Sequence, residues 1–291
     1  MNIADLFKEG KTIFSFEVFP PKKESGIETV YDTIEKLTDL KPDFISVTYG
    51  AGGSGVTNPI TKDICSKIKN EYKLETIAHL SCINNTKDEI DKILDELKKE
   101  GIDNILALRG DRVEGLEPKK DFTYASDLTK YIMDKGGFHV SGACYPEVHM
   151  EAKDAVDDIK NLKKKVDAGA DHLISQLFFD NRVFYDFLER ARIADINVPI
   201  EAGIMPVTSK SQIERMVTMC GASIPASLSR IMQRYESNPE ALRDAGIAYA
   251  INQIIDLAAN GVDGVHIYTM NNPYVARKIT EGVESVVKHN R

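Results

Sequence analysis

The sequence predicts an α/β fold, a (β/α)8 TIM barrel with extra helices before its last strand. Three observations predict it. Short β-rich runs alternate with longer helical patterns from end to end, as in folds whose parallel strands are joined by helices. The chain has 291 residues, enough for eight strand–helix units, and a barrel typically takes about 250. Polar residues able to do chemistry recur at the ends of the strand-like runs, about every 31 residues from Glu17 to Thr48, His79 and Arg109, which is the length of one such unit. A doubly wound sheet shows the same alternation and is the competing architecture. No linker or composition break divides residues 1–291, so a single catalytic barrel domain is expected.

The elements follow in order. The first strand is expected over Thr12–Val18, where Ile13, Ser15 and Glu17 alternate with Phe14, Phe16 and Val18. That alternation puts Glu17 on the less apolar face, and Pro20-Pro21 ends the strand. A carboxylate there is partly desolvated, which favours its protonated form. A glutamate bonded to a neighbouring element fits the same segment. Further strands are expected over Phe44–Thr48, Thr76–Leu80, Asn104–Leu108, His139–Ala143, His172–Gln176, Ile200–Gly203 and Val265–Tyr268. Helix starts are marked by the capping-box patterns Ser25-x-x-Glu28, Thr86-x-x-Glu89 and Ser209-x-x-Gln212. Asp88–Lys99 and Lys153–Ala168 carry amphipathic periods, and Gly101 and Gly169 follow them as helix stops. Gly221–Asn260 holds the extra helices.

Composition narrows the function. A net charge of −8 argues against nucleic acid or an anionic membrane as partner. Cys65, Cys82, Cys144 and Cys220 form no CxxC pair, so neither a metal site nor a redox pair is expected. No signal core or run of 18 apolar residues occurs, so the expected location is the cytoplasm.

Barrel enzymes build their sites at the C-terminal ends of strands. Glu17, Thr48-Tyr49, His79, Arg109-Gly110-Asp111, Tyr145, Gln176 and Tyr268-Thr269 fall there. Any one could be structural; a histidine such as His79 is often a bonded core residue. A ring of them points to an active rim. Gly50–Gly55 satisfies GxGxxG but lacks the acid that a dinucleotide fingerprint places after the next strand. It reads as a glycine-rich barrel loop. His149, Asn161, Lys164 and Lys165 are phosphate-binding candidates, though lysines on a solvated helix face are common. HExxH, GxSxG and P-loop patterns are absent from the sequence, which removes the usual support for metal hydrolysis and serine acyl transfer.

Ten segments, taken together, resemble the methylenetetrahydrofolate reductase family. They are FSFEVFPPK, KPDFISVTYGA, AHLSC, LALRGD, YASDL, YPEVHMEA, NLKKKVDAGAD, ISQLFFD, GIMPVTS and HIYTMN, in family order over almost the whole chain. The resemblance implies FAD as cofactor and a folate as substrate. NADH is the implied donor; NADPH, ferredoxin or an electron-transfer partner protein remains open. It also implies association into a homo-oligomer. Residue by residue, Glu17 matches the general acid. Asp111 matches the acid near the flavin, which also contacts the folate. Gln176, Gln212 and Tyr268 match folate-binding positions, and Thr48 a nicotinamide contact. Tyr49, Ala51, His79, Arg109, Gly110, Tyr124, Ala125, Tyr145, His149, Asp158, Asn161, Lys164 and Lys165 match positions that line FAD. Asn272 stands where the pattern has arginine, and Met216 where a relative has phenylalanine. Three other classes fit the rim: a pterin-binding methyltransferase without flavin, a cofactor-free lyase, and a binding subunit without activity.

Overall fold

Alternate residues of the first strand divide the molecule into an inside and an outside. Phe14, Phe16 and Val18 pack outward in the main apolar core, against helix residues such as Val30, Ile34 and Leu37. Ile13 belongs to a separate inner cluster. Ser15 bonds to side chains of the seventh and eighth strands across the interior. The computed structural model describes residues 1–21, 23–49, 59–112, 115 and 117–289.

The strands are β1 (Ile13–Val18), β2 (Phe44–Val47), β3 (Glu75–Ser81), β4 (Asn104–Leu108), β5 (His139–Cys144), β6 (Ala170–Ser175), β7 (Ile200–Ile204) and β8 (Gly264–Tyr268). Each pairs in parallel with its neighbours, and β8 pairs with β1, so the sheet closes as a barrel. Helices α1 (Ile27–Thr38), α2 (Pro59–Asn70), α3 (Lys87–Lys99), α4 (Ala125–Lys135), α5 (Ala155–Asp167), α6 (Asn181–Ile193) and α7 (Lys210–Cys220) follow the first seven strands. The predicted extra helices are α8 (Ala226–Tyr235) and α9 (Pro239–Ala259), and α10 (Pro273–His289) follows β8. The fold is the predicted (β/α)8 barrel, and the doubly wound alternative is excluded by the β1–β8 closure. Observed strand ends lie within two residues of the predicted ones.

The Thr86 capping box forms in full: Thr86 accepts from the Glu89 amide and Glu89 accepts from the Thr86 amide at 2.7 Å. The Ser25 box does not form. A 3-10 turn over Glu24–Gly26 leads into α1, whose first cap is Gly26 with no side-chain bond. Ser209 caps α7 by accepting from the Gln212 amide.

The N-terminal ends of the strands are stoppered by a 3-10 helix, Ile3–Glu9. Ile3 and Leu6 pack on Ile13, Phe44, Ile77, Leu106 and Ile174. Above this floor lies a buried polar layer of Ser15, Ser46, Ser141, His172, Glu201 and His266. A second apolar cluster joins Leu177, Phe179, Met205 and Val207 to Ile213, Leu228, Met232 and Leu242. It anchors the segments after β6 and β7 to α7–α9. Among the described residues, no helix is long and apolar enough to cross a membrane. Nor is any group of three or more His, Cys, Asp and Glu placed to hold a metal ion.

Candidate active site

The C-terminal ends of the strands gather three features: a carboxylate flanked by imidazoles, a large cavity and a smaller cavity. Glu17 ends the inward row of β1, and its side chain is 20% exposed. Its Oε2 lies 3.7 Å from His79 Nε2 and 3.9 Å from His266 Nε2. Its carbonyl accepts from Thr269 Oγ1 at 2.6 Å, fixing the backbone beneath the carboxylate. His79 is buried, and burial pushes its imidazole down to about 4. It is therefore neutral near pH 7, so it faces Glu17 as a dipole rather than as a cation. His79 Nε2 has no hydrogen-bond partner among the described residues.

The larger cavity, of about 490 Å3, opens between β4, β5, α4 and α5. Arg109, Tyr124, Ala125, Tyr145, His149, Asp158, Asn161, Lys164 and Lys165 all line it, as the sequence predicted for the cofactor. The cations sit differently. Lys164 Nζ donates to Asn161 Oδ1 at 2.9 Å on the exposed face of α5. Lys165 turns inward and donates to the Ala143 carbonyl, and burial lowers its tendency to hold a proton. Burial likewise raises the Asp158 carboxyl and lowers the His149 imidazole. Tyr145 is pushed up to about 12, by burial first and by the Asp111 charge second. The Tyr145 ring meets the His149 ring edge-on at 4.6 Å between centroids.

Glu151 was missed by the sequence reading. It also lines the cavity and takes a bidentate bond from Arg109, with Nη2 at 2.8 Å from Oε1. That bond holds the guanidinium charged and the Glu151 carboxyl below its ordinary range. Position 151 falls inside YPEVHMEA, but only the folded loop brings it to Arg109.

The turn after β4 depends on Gly110. Its φ is +88°, and a Cβ there would lie 2.9 Å from the Ser81 Cβ. Asp111 follows it, exposed, with its charge acting on Arg109 and Tyr145. Gly110 and Asp111 follow the cavity-lining Arg109 without lining the cavity themselves, and neither Thr48 and Tyr49, just after β2, nor His79 on β3 lines it. Tyr49 Oη accepts from Asn85 Nδ2 at 3.3 Å. Ala51 and the glycine-rich stretch 50–55 lie outside the described residues.

The smaller cavity, of about 270 Å3, is lined by residues including Phe19, Thr208, Gln212, Tyr268 and Asn272. It therefore unites Gln212 and Tyr268, two of the predicted substrate residues. Asn272 Oδ1 accepts from the Val275 amide at 3.2 Å, capping α10. Met216 packs against the second apolar cluster. Gln176 turns its Oε1 onto the Leu177 amide at 2.9 Å. Tyr268 Oη donates to the Ser175 carbonyl at 2.6 Å. Only glycine at 203 permits that bond, because a Cβ there would lie 2.7 Å from the Tyr268 hydroxyl. Burial, and next the Glu17 charge, hold the Tyr268 phenol far above its ordinary range; Tyr145 also acts on it. Tyr268 therefore lines the smaller cavity next to Glu17, its partner across the β1–β8 pairing.

A closed parallel barrel with acid, imidazole, phenol and cation groups on its C-terminal rim has the architecture of a barrel enzyme. Comparison with known proteins gives the family. Residues 2–284 match the family model described as "Methylenetetrahydrofolate reductase", and the chain belongs to that family. It is 39% identical over 263 residues to the 5,10-methylenetetrahydrofolate reductase of Escherichia coli (strain K12), covering 90% of this chain and 88% of that one. It is 37% identical over 285 residues to methylenetetrahydrofolate reductase (NADH) 1 of Arabidopsis thaliana, covering 93% of this chain. The match takes in 48% of the Arabidopsis protein, so the chain spans about half the length of its plant relatives. A solved structure of a Clostridium thermocellum protein, described as binding two copies of 5-methyl-5,6,7,8-tetrahydrofolic acid, shares the fold. Its TM-score is 0.67 at 17% identity, over 98% of this chain and 99% of that one.

Proposed function

We propose that this barrel reduces 5,10-methylenetetrahydrofolate to 5-methyltetrahydrofolate with FAD as cofactor and NADH as electron donor. Family membership and the names of the E. coli and Arabidopsis relatives support the reaction, and the Arabidopsis name supports the donor. One observation carries the residue-level reading. Glu17, whose carboxylate lies 3.7 Å from the His79 imidazole and 3.9 Å from that of His266, adjoins Tyr268, which borders the second cavity.

The residues of the larger cavity fit FAD. Arg109, Lys164 and Lys165 offer positive charge for a diphosphate. An anionic group would also favour the charged form of inward-turned Lys165, which burial opposes. Asp158 and Asn161 can bond sugar hydroxyls. Ala125 and Ala143 leave room for a flat ring, with the Tyr124 and Tyr145 rings beside it. When bound, FAD supplies the hydride to the exocyclic carbon of the folate.

The protein's own groups do the rest. The Glu17 carboxyl transfers its proton to nitrogen 10 of the folate. The bond from that nitrogen to the bridging carbon breaks, and its electron pair stays on nitrogen 10. The carbon remains bound to nitrogen 5 as a cationic iminium, ready to accept hydride. General acid help of this kind is worth about 100- to 10,000-fold. Asp111 places negative charge beside the cavity. That favours the cation and disfavours added negative charge on the flavin ring. Gln212 and Tyr268 orient the folate from the smaller cavity, and Gln176 from the end of β6.

The test uses the purified protein under anaerobic conditions. The expected result is a yellow protein that releases FAD on denaturation and turns over methylenetetrahydrofolate with NADH. A colourless protein that cannot be loaded with FAD would contradict the reading. Bleaching by reduced ferredoxin or NADPH but not by NADH would replace the donor alone.

A further inference from the structure

One buried ionisable group has no part in that reaction. Glu201 on β7 is fully buried in the polar layer beneath Glu17. Its Oε1 accepts from Ser15 Oγ at 2.8 Å, and its Oε2 lies 3.1 Å from His172 Nε2. Ser15 Oγ is also 2.6 Å from His266 Nδ1. A serine hydroxyl has one proton. With that proton directed to Glu201, Ser15 can only accept from His266. Nδ1 of His266 must then carry hydrogen, which leaves Nε2 as the ring nitrogen that can accept. That nitrogen takes the Ser46 hydroxyl at 3.2 Å and lies 3.9 Å from Glu17 Oε2.

We infer that Glu201 is a positioning residue for the acid: through Ser15 it fixes the His266 tautomer that presents Nε2 without hydrogen on the side of Glu17, an arrangement that favours the acid form there over the carboxylate. The opposite tautomer would present Nε2–H to Glu17 and favour its carboxylate, which cannot donate. The groups facing Glu17 and His266 come from every neighbouring strand. They are Ser15 on β1, Ser46 on β2, His79 on β3 and Tyr268 on β8, with Glu201 on β7 one hydrogen bond further away and His172 on β6 beside Glu201 at 3.1 Å. Among the described residues, no lysine or arginine pairs with Glu17, and His79 is neutral. The tautomer of His266 therefore weighs heavily on the Glu17 proton. The inference rests on Glu17 acting as the acid.

The test begins with 15N spectra of histidine-labelled protein at neutral pH, with His266 assigned by the loss of its signals in His266→Gln. Wild type is expected to show Nδ1–H. Ser15→Ala and Glu201→Leu are expected to show Nε2–H. Glu201→Gln keeps an oxygen for Ser15 while its amide faces His172, so it should retain Nδ1–H. The folate half-reaction is then followed against pH. In Ser15→Ala and Glu201→Leu its alkaline limb should move down, by up to about one pH unit. Flavin reduction by NADH should be unchanged. An Nε2–H tautomer in wild type would overturn the inference whether or not the variants fold. A uniform fall in rate with an unmoved limb would also overturn it and leave the layer a structural one. If Glu17→Gln retains the folate half-reaction, the acid assignment itself fails, and the inference with it. If Glu17→Gln is dead and the Ser15→Ala limb is unmoved, only the inference fails.

Discussion

Glu17 was visible in the sequence because a strand alternates, and a carboxylate in the apolar run Phe14–Val18 stands out. Its neighbours were not visible. His266, Ser15 and Glu201 lie on β8, β1 and β7, and only barrel closure brings them together. In a sequence, each is one polar residue in a strand-like run. His79 was legible as a rim residue, but its burial was not, and burial is what keeps it neutral. Its ordinary value is 6.5, so the unfolded chain takes up that proton first on acidification. Its contribution to stability is thus fully present above pH 6.5 and lost as pH falls toward about 4. In urea unfolding across that window, His79→Gln should flatten the decline by up to about 1.4 kcal/mol per pH unit. An unchanged slope would mean that His79 is solvated. Asp111→Asn should raise the flavin midpoint potential; a change of about 1.4 kcal/mol corresponds to about 30 mV for a two-electron couple. An unchanged or lowered potential would remove the charge role given to Asp111.

Helix starts show where local sequence decides and where it is overruled. Thr86 and Glu89 form their box as read, since both partners lie within one turn and need nothing from the rest of the fold. At Ser25 the same pattern yields to the 3-10 turn Glu24–Gly26. The LRGD turn after β4 carries the opposite lesson. Its glycine is legible, but the need for it comes from Ser81 on the adjacent strand. Two substitutions separate these effects. Gly110→Ala should cost about 1–3 kcal/mol through left-handed strain and the clash, and should also weaken FAD binding by moving Arg109. Thr86→Ala should cost about 1 kcal/mol through the lost cap and leave FAD affinity alone. Denaturant titrations paired with flavin fluorescence distinguish the two, and equal FAD affinity in both variants would contradict the role of the turn.

For the whole molecule, eight units and their spacing were enough to read a barrel, because strand–helix alternation constrains topology strongly. The floor was not legible. Ile3–Glu9 is one short 3-10 helix, too brief to show a helical period, and its role appears only when Ile3 and Leu6 meet Phe44 and Ile77. The two cavities were half legible. Arg109, Tyr145, Lys165, Gln212 and Tyr268 were among the residues named in advance, whereas Ser126, Asp157 and Thr208 were not, and Glu151 joins only through the folded loop. FAD bound to the native barrel should stabilise all of it together, by about 2.7 kcal/mol at a hundredfold excess over Kd. Thermal melts with and without FAD should show that gain in wild type and lose it in Arg109→Ala. A gain that survives Arg109→Ala would move the cofactor away from this cavity.

The central claim is that Glu17 delivers the proton that opens the folate ring. Stopped-flow measurement of the two half-reactions in Glu17→Gln tests it most directly. Flavin reduction by NADH should proceed as in wild type, while reoxidation by methylenetetrahydrofolate should fall by at least about 100-fold. Reoxidation at the wild-type rate, or equal losses in both half-reactions with FAD still bound, would contradict the claim.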